Sequence, residues 1–181
     1  EVVAYGYEPA DSVDGWMETV YHRIPYTTPY WRVVGFGQDG EYSSMSFVSP
    51  YPNGPRTSVI YPVDGQTDVP IDFNSDWEIP DPDPDRGIVG HPISVTVSAE
   101  TASGGIEDPY GLRLLDAVLT GPSGEEVAVK AVDPSDDPNL YTMAAMWAVQ
   151  PLEPSTEYDA VMIVEWDGGQ ETYVTTFTTA P

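Results

Sequence analysis

Residues 152–179 read LEPSTEYDAVMIVEWDGGQETYVTTFTT. Two runs rich in β-branched and aromatic residues, Tyr158–Trp166 and Gln170–Thr179, flank the turn Asp167-Gly168-Gly169. Strand-formers on both sides of a glycine turn predict a β-hairpin. The same pattern repeats upstream. Leu112–Thr120 and Glu126–Val132 flank Gly121-Pro122-Ser123-Gly124, and Tyr141–Val149 carries Trp147. Ile93, Val95 and Val97 alternate with Ser94, Thr96 and Ser98, the clearest half-buried strand pattern in the chain. Ser58–Val63 and Val69–Phe73 are two further apolar patches, and Gly104-Gly105 reads as a turn. About seven short strands with turn signals between them predict an all-β sandwich over residues 58–181.

The N-terminal region reads differently. Val13, Trp16, Met17, Val20 and Ile24 fall at the spacing of one buried helix face, with Asp11 or Ser12 as N-cap and Pro25 as the stop. Residues 31–48 alternate as a hairpin about Gln38-Asp39-Gly40. Residues 49–57, SPYPNGPRT, are too rich in proline and glycine for a regular element and are expected to link residues 1–48 to the sandwich.

Charge narrows the function classes. The 181 residues hold 30 acidic and 6 basic side chains, a net charge of −24. That leaves no basic patch to displace counterions from nucleic acid or to settle on an anionic membrane. No apolar run is long enough to span a bilayer, so membrane insertion is not expected. The 5 Trp, 12 Tyr and 4 Phe argue for a packed chain rather than a disordered one. With no cysteine, disulfides, thiolate catalysis and zinc-thiolate sites are excluded. High acidity keeps a protein soluble in a salty extracellular setting.

Few residues offer chemistry. His22 with Glu1 can bind a metal or share a proton, whereas His22 and Arg23 together would also suit the C-terminal end of a helix dipole. Asp81, Asp83 and Asp85 alternate with prolines. Calcium takes such oxygen ligands, but stiff extended backbone aims successive carboxylates apart, so a solvated acidic loop is expected. Asp133, Asp136 and Asp137 repeat that pattern more weakly. His91, before Pro92, reads as a packed or surface side chain. Tyr5, Tyr7, Tyr21, Tyr26, Tyr30 and Trp31 are denser than one helix needs and are expected to line a cavity or face a missing layer. Trp16, Trp147 and Tyr158 are assigned to structure. Tyr158 closes L-x-P-x-T-x-Y before a strand, the corner at which immunoglobulin-like sandwiches bond a tyrosine hydroxyl to nearby backbone.

Two resemblances extend this reading. Residues 15–37, GWMETVYHRIPYTTPYWRVVGFG, resemble the W-M-x-S-x-x-H-R and V-G-x-G of bacterial CAP-superfamily, SCP-like secreted proteins. The opening EVVAYG is similar to that family's G-E-N-h-A, with Glu1 in the acidic position. Residues 58–179 resemble bacterial Ig-like domains of the SbsA type, through YPVDGQTDVP, GHPISVTV and the closing FTT. The first resemblance implies an α-β-α sandwich whose cavity joins two His and two acidic residues drawn from both halves. His22 and Glu1 would be the later pair, and zinc would bind once the cavity is complete. It further implies that residues 1–48 are the C-terminal part of that fold, a remnant of one helix and a β-hairpin. Its sheet would be completed by a cleaved N-terminal half or by a second copy. The chain would then be a secreted or cell-surface protein with an Ig-like spacer or binding module, and no catalysis is expected from it alone. The alternative is a metal-assisted hydrolase that needs the missing half.

Overall fold

The computed structural model describes residues 1–29, 31–48, 56–98 and 110–181. Of the expected linker 49–57, residues 49–55 lie outside the described residues, as do Tyr30 and the turn at Gly104-Gly105, while Thr57 already belongs to the first strand of the sandwich. In chain order, the N-terminal unit comprises β1 (Val2–Tyr5), α1 (Pro9–Glu18), the single turn α2 (Ile24–Thr27), β2 (Val33–Asp39) and β3 (Tyr42–Val48). Then come β4 (Thr57–Tyr61), β5 (Gln66–Val69), β6 (Asp72–Asn74), β7 (Ile88–Gly90), β8 (Ile93–Ser98) and β9 (Arg113–Thr120). β10 (Glu126–Val127), β11 (Val129–Val132), β12 (Met143–Ala148), β13 (Glu157–Trp166) and β14 (Gly169–Thr179) complete the chain.

The C-terminal hairpin is the spine of the sandwich. β13 and β14 pair along their full lengths, from Glu157 opposite Thr178 to Trp166 opposite Gly169. Asp167 and Gly168 both take positive φ, 48° and 75°, as a two-residue turn matched to strand twist requires. The hairpin sits in a sheet ordered β10-β9-β13-β14-β5, which faces a second sheet ordered β11-β12-β8-β4. Ile93, Val95 and Val97 from one sheet meet Met162, Val164, Trp166 and Phe177 from the other in one apolar core. The run Glu126–Val132, expected as one strand, is two. β10 pairs with β9 in one sheet, β11 pairs with β12 in the other, and Ala128 is where the chain changes sheets.

The strands expected to be half-buried are buried on both faces. Ser94, Thr96 and Ser98 of β8 are as enclosed as the apolar residues they alternate with. The outer face of the β12–β8 sheet is covered by a second core, in which Val20, Phe73 and Val89 pack on Met143, Ala145 and Trp147. Thr27 reaches β8 directly, its Oγ1 lying 2.7 Å from that of Thr96. A period-two pattern shows which face is apolar; it does not show that another part of the chain lies over the polar face.

The N-terminal unit corrects two helix expectations. α1 begins at Pro9, with Glu8 in the capping position and no side-chain cap, and Ser12 lies inside the helix with its Oγ donating to Glu8 O at 3.1 Å. Proline at the first helical position needs no amide, so the helix starts there rather than at Asp11 or Ser12. It then ends at Glu18, and Pro25 opens α2 instead of stopping α1. Beyond it, β1-β3-β2 form a small antiparallel sheet. One face packs on the helices, with Phe47 of β3 against Tyr26 and Trp31. On the other face Val3, Tyr5, Val33, Tyr42 and Val48 are exposed. Among the described residues no helix is long and apolar enough to cross a membrane.

Candidate functional site

The break between α1 and α2 is made by a carboxylate from the sandwich. Glu78 follows a short helical turn at Ser75–Trp77 and is fully buried. Its Oε2 accepts from the amide of Val20 at 2.9 Å, and its Oε1 accepts from those of Tyr21 at 2.6 Å and His22 at 3.0 Å. Successive backbone amides form a concave anion-binding nest, here filled by a side chain of the same protein. The amides cannot both bind Glu78 and continue the α1 ladder, which is why the amphipathic pattern to Ile24 does not become one helix.

Glu78 also sets His22. Its Oε1 lies 3.0 Å from His22 Nδ1. A carboxylate in this role only accepts, so Nδ1 carries the hydrogen. Thr19 Oγ1, 3.3 Å from the same nitrogen, already donates to Trp16 O and so accepts from it as well. The His22 side chain is 28% exposed, and the Glu78 carboxylate it faces is fully buried. Nε2 has no hydrogen-bond partner among the described residues. The tautomer is thus fixed by the partner of the other nitrogen, the arrangement by which carboxylates orient catalytic and metal-ligating imidazoles.

His22 borders a cavity of about 460 Å³ between the N-terminal unit and the sandwich, and Glu1 borders the same cavity. Pro25 and Trp31 line it from one side, Pro80 and Tyr141 from the other. The two residues paired on sequence grounds are therefore brought to one cavity. Glu1 is exposed and accepts from Ser46 Oγ at 3.3 Å, whereas the carboxylate that holds His22 is Glu78. The sequence carried no periodic signal for that role, since Glu78 reads as one more acid before the proline-rich loop. A second cavity of about 490 Å³ adjoins this one, sharing Tyr21, Pro80 and Asn139. Tyr21 stands between them, its hydroxyl donating a short hydrogen bond to Asp137. Burial and that bond push the phenol well above its ordinary value.

The three alternating aspartates do not converge. Asp83 is buried and Asp85 is exposed, with Asp81 between those extremes. Asp83 accepts from Trp147 Nε1 at 2.9 Å, from Arg86 at 3.0 Å and from Lys130 at 3.2 Å. Burial pushes its carboxyl up. The bonds from Trp147 and Lys130, with the charges of Lys130 and Arg86, outweigh this and hold it below the ordinary carboxylate value. The expected solvated loop is thus an anchor with one buried acid, and Asp81 Oδ1 accepts the Asp83 amide at 2.8 Å. Asp133 and Asp137 serve likewise as caps for Ser135 and Asn139 amides. Among the described residues no group of three or more His, Asp or Glu is placed to hold a metal ion.

Arg23, expected at a helix end, is buried beneath the unit it joins. Its Nε donates to Met17 O at 2.7 Å, and its terminal nitrogens reach Pro92 O at 2.5 Å and His91 Nε2 at 3.0 Å. Its guanidinium lies 4.6 Å from the centre of the Tyr61 ring. Burial lowers it to about 10, still a cation at neutral pH. Since guanidinium only donates, His91 Nε2 accepts and its hydrogen sits on Nδ1, which is buried without a partner among the described residues. Burial and then the Arg23 charge push His91 well below the ordinary imidazole value. Of the residues assigned to structure, Trp16 and Trp147 are buried, and the Tyr158 hydroxyl accepts from Glu153 N at 3.0 Å. No protein-family model matches the chain, and no curated protein sequence matches it significantly.

Proposed function

We propose that the chain is an extracellular or cell-surface binding module of SCP-like type. Its N-terminal unit is the C-terminal part of a CAP-like fold, and an Ig-like sandwich is both scaffold and half of the binding cavity. One observation carries this: Glu1 and His22, the positions picked out by the resemblance, border one cavity although 21 positions separate them in a chain of 181. The open face of β1-β3-β2 supports a further layer supplied by a cleaved N-terminal half or a second copy, because contiguous exposed apolar residues mark interaction surfaces.

Native mass spectrometry of the protein from the cells that make it tests this reading. A second polypeptide bound to the 19.8 kDa chain is expected, and a lone compact chain would overturn the partner. The rival reading, a metal-assisted hydrolase, is favoured by the carboxylate-backed His22. It requires ligands from outside the described residues. Calorimetry with zinc on the chain and on His22→Ala separates the two: His-dependent zinc binding would favour the hydrolase, and its absence leaves the binding module.

A further inference from the structure

Arg23 and His91 meet across the seam between the two units, in a contact that holds only one charge. Arg23 belongs to the N-terminal unit and is fully buried. Among the described residues no carboxylate is in ion-pair contact with it. Its bond to Met17 O stays within its own unit, and its contacts with the sandwich are all to neutral groups: Pro92 O, the Tyr61 ring and His91 Nε2. His91 is buried as well, and its bond to Arg23 exists only while Nε2 keeps a lone pair.

We infer that this contact is an acid-sensitive latch: proton uptake by His91 releases residues 1–48 from the sandwich while the sandwich stays folded. An imidazolium offers no acceptor, so the bond becomes donor against donor. Two cations then stand with facing nitrogens 3.0 Å apart, where burial leaves little screening and neither charge is compensated.

The surroundings of the ring give no relief. β4 supplies Tyr61, whose ring centre is 6.1 Å from that of His91. The strands β7, β8 and β12 contain no acid or base. In α2 the titratable side chain is Tyr26, which packs on Phe47. Nδ1 of His91 is buried without a partner among the described residues. Glu18 and Glu78 bear on Arg23 rather than on the imidazole.

The direction follows from proton linkage. Seated, His91 is held well below the ordinary imidazole value by burial and then by the Arg23 charge. Released, it protonates near 6.5. The released state therefore binds one more proton, and each pH unit below about 6.5 favours it by up to about tenfold, until the seated value is reached. Release is local because the apolar core between the two sheets does not include the N-terminal unit, which adds Val20, Tyr21 and Ile24 to the second core only. It would also part the walls of the cavity that His22 borders, since Pro25 and Trp31 belong to one unit and Pro80 and Tyr141 to the other.

Hydrogen exchange on the whole chain between roughly pH 7 and 4.5, corrected for intrinsic rates, tests the latch. Protection of residues 2–48 should fall by up to about tenfold per unit below about 6.5, while β13 and β14 keep theirs. Glu78 also lies at the seam, where its carboxylate holds the amides of residues 20–22, so its protonation is the rival cause. His91→Gln keeps an oxygen that can accept from Arg23 but cannot titrate, and should remove most of the dependence. In the unaltered protein, imidazole nitrogen resonances of His91 should show one neutral tautomer, with the hydrogen on Nδ1, until release begins; this readout stands even if the variant folds poorly. Flat protection of residues 2–48, a dependence unchanged in His91→Gln, an imidazolium signal while those residues stay protected, or loss of β13 and β14 protection in step would each overturn the proposal.

Discussion

The sandwich and the N-terminal unit bury their polar groups for different purposes. In the sandwich, an apolar core between two sheets carries the stability, and one of its buried acids, Asp83, is satisfied by three donors from that same unit. The N-terminal unit has one open sheet face and one covered only in part: Phe47 packs on Tyr26 and Trp31, while Val34 and Phe36 on the same face stay exposed. It is seated on the sandwich through Val20, ringed by Glu78 on one side and Arg23 with His91 on the other. A small unit with little core gains order by borrowing both apolar surface and hydrogen-bond partners from its neighbour. The sandwich should therefore survive damage to the seam, and the N-terminal unit should not.

Glu78→Ala should produce the largest effect. It orphans the amides of residues 20–22 and frees the His22 ring, and breaking a buried charged network costs about 3–5 kcal/mol. Hydrogen exchange should show residues 2–48 losing protection while β13 and β14 keep theirs. If protection falls evenly over both units, they are one cooperative body and the contrast drawn above fails.

Acidification is the next test, because His91 sits at the seam against Arg23. The folded protein keeps His91 neutral well below the ordinary imidazole value, whereas the unfolded chain protonates it near 6.5. Below that pH the unfolded state takes up more protons, so stability falls as pH drops, by up to about 1.4 kcal/mol per unit, until the folded value is reached. Above about 6.5 this residue contributes no slope. Denaturant titrations from pH 7 to 5 should show the loss, and His91→Gln should flatten it. A slope unchanged in the variant would assign the pH dependence to carboxylates instead.

What was readable in the sequence follows the same division. The sandwich hairpin at residues 157–179 was legible because period-two alternation and the Asp167-Gly168 turn are local signals. The Tyr158 corner has the bond geometry its motif suggested. The helix was legible as a face but not in its extent, since Glu78 lies 56 positions beyond His22 and no local pattern marks an acid that will capture backbone amides. Asp83 was misread as solvated for the same reason: its partners Trp147 and Lys130 are 64 and 47 positions away. Glu1 and His22 border one cavity, but no sequence signal marked Glu78, the group that holds His22.

Inside the sandwich, a single neutral hydrogen bond measures how far local motifs carry stability. Tyr158→Phe removes the acceptor for Glu153 N while keeping the ring against Phe177. The expected loss is about 1 kcal/mol, read from the denaturant midpoint with an unchanged slope. A loss above about 3 kcal/mol would mean that the corner organises the strand rather than finishing it.

The smallest effect should come from the open sheet face, and it bears most directly on the partner. Val33 is 61% exposed on edge strand β2, so Val33→Lys removes little buried area and should shift stability of the isolated chain by no more than about 0.5 kcal/mol. A lysine there also protects a bare sheet edge from pairing with other strands. If the face is an interface in the native assembly, the same substitution should abolish the second polypeptide in the native mass spectrum while leaving thermal unfolding of the chain unchanged. A variant that keeps its partner would place the interface elsewhere. A variant whose stability falls by several kcal/mol would show that Val33 is already covered, and the contrast between a self-sufficient sandwich and an incomplete N-terminal sheet would have to be given up.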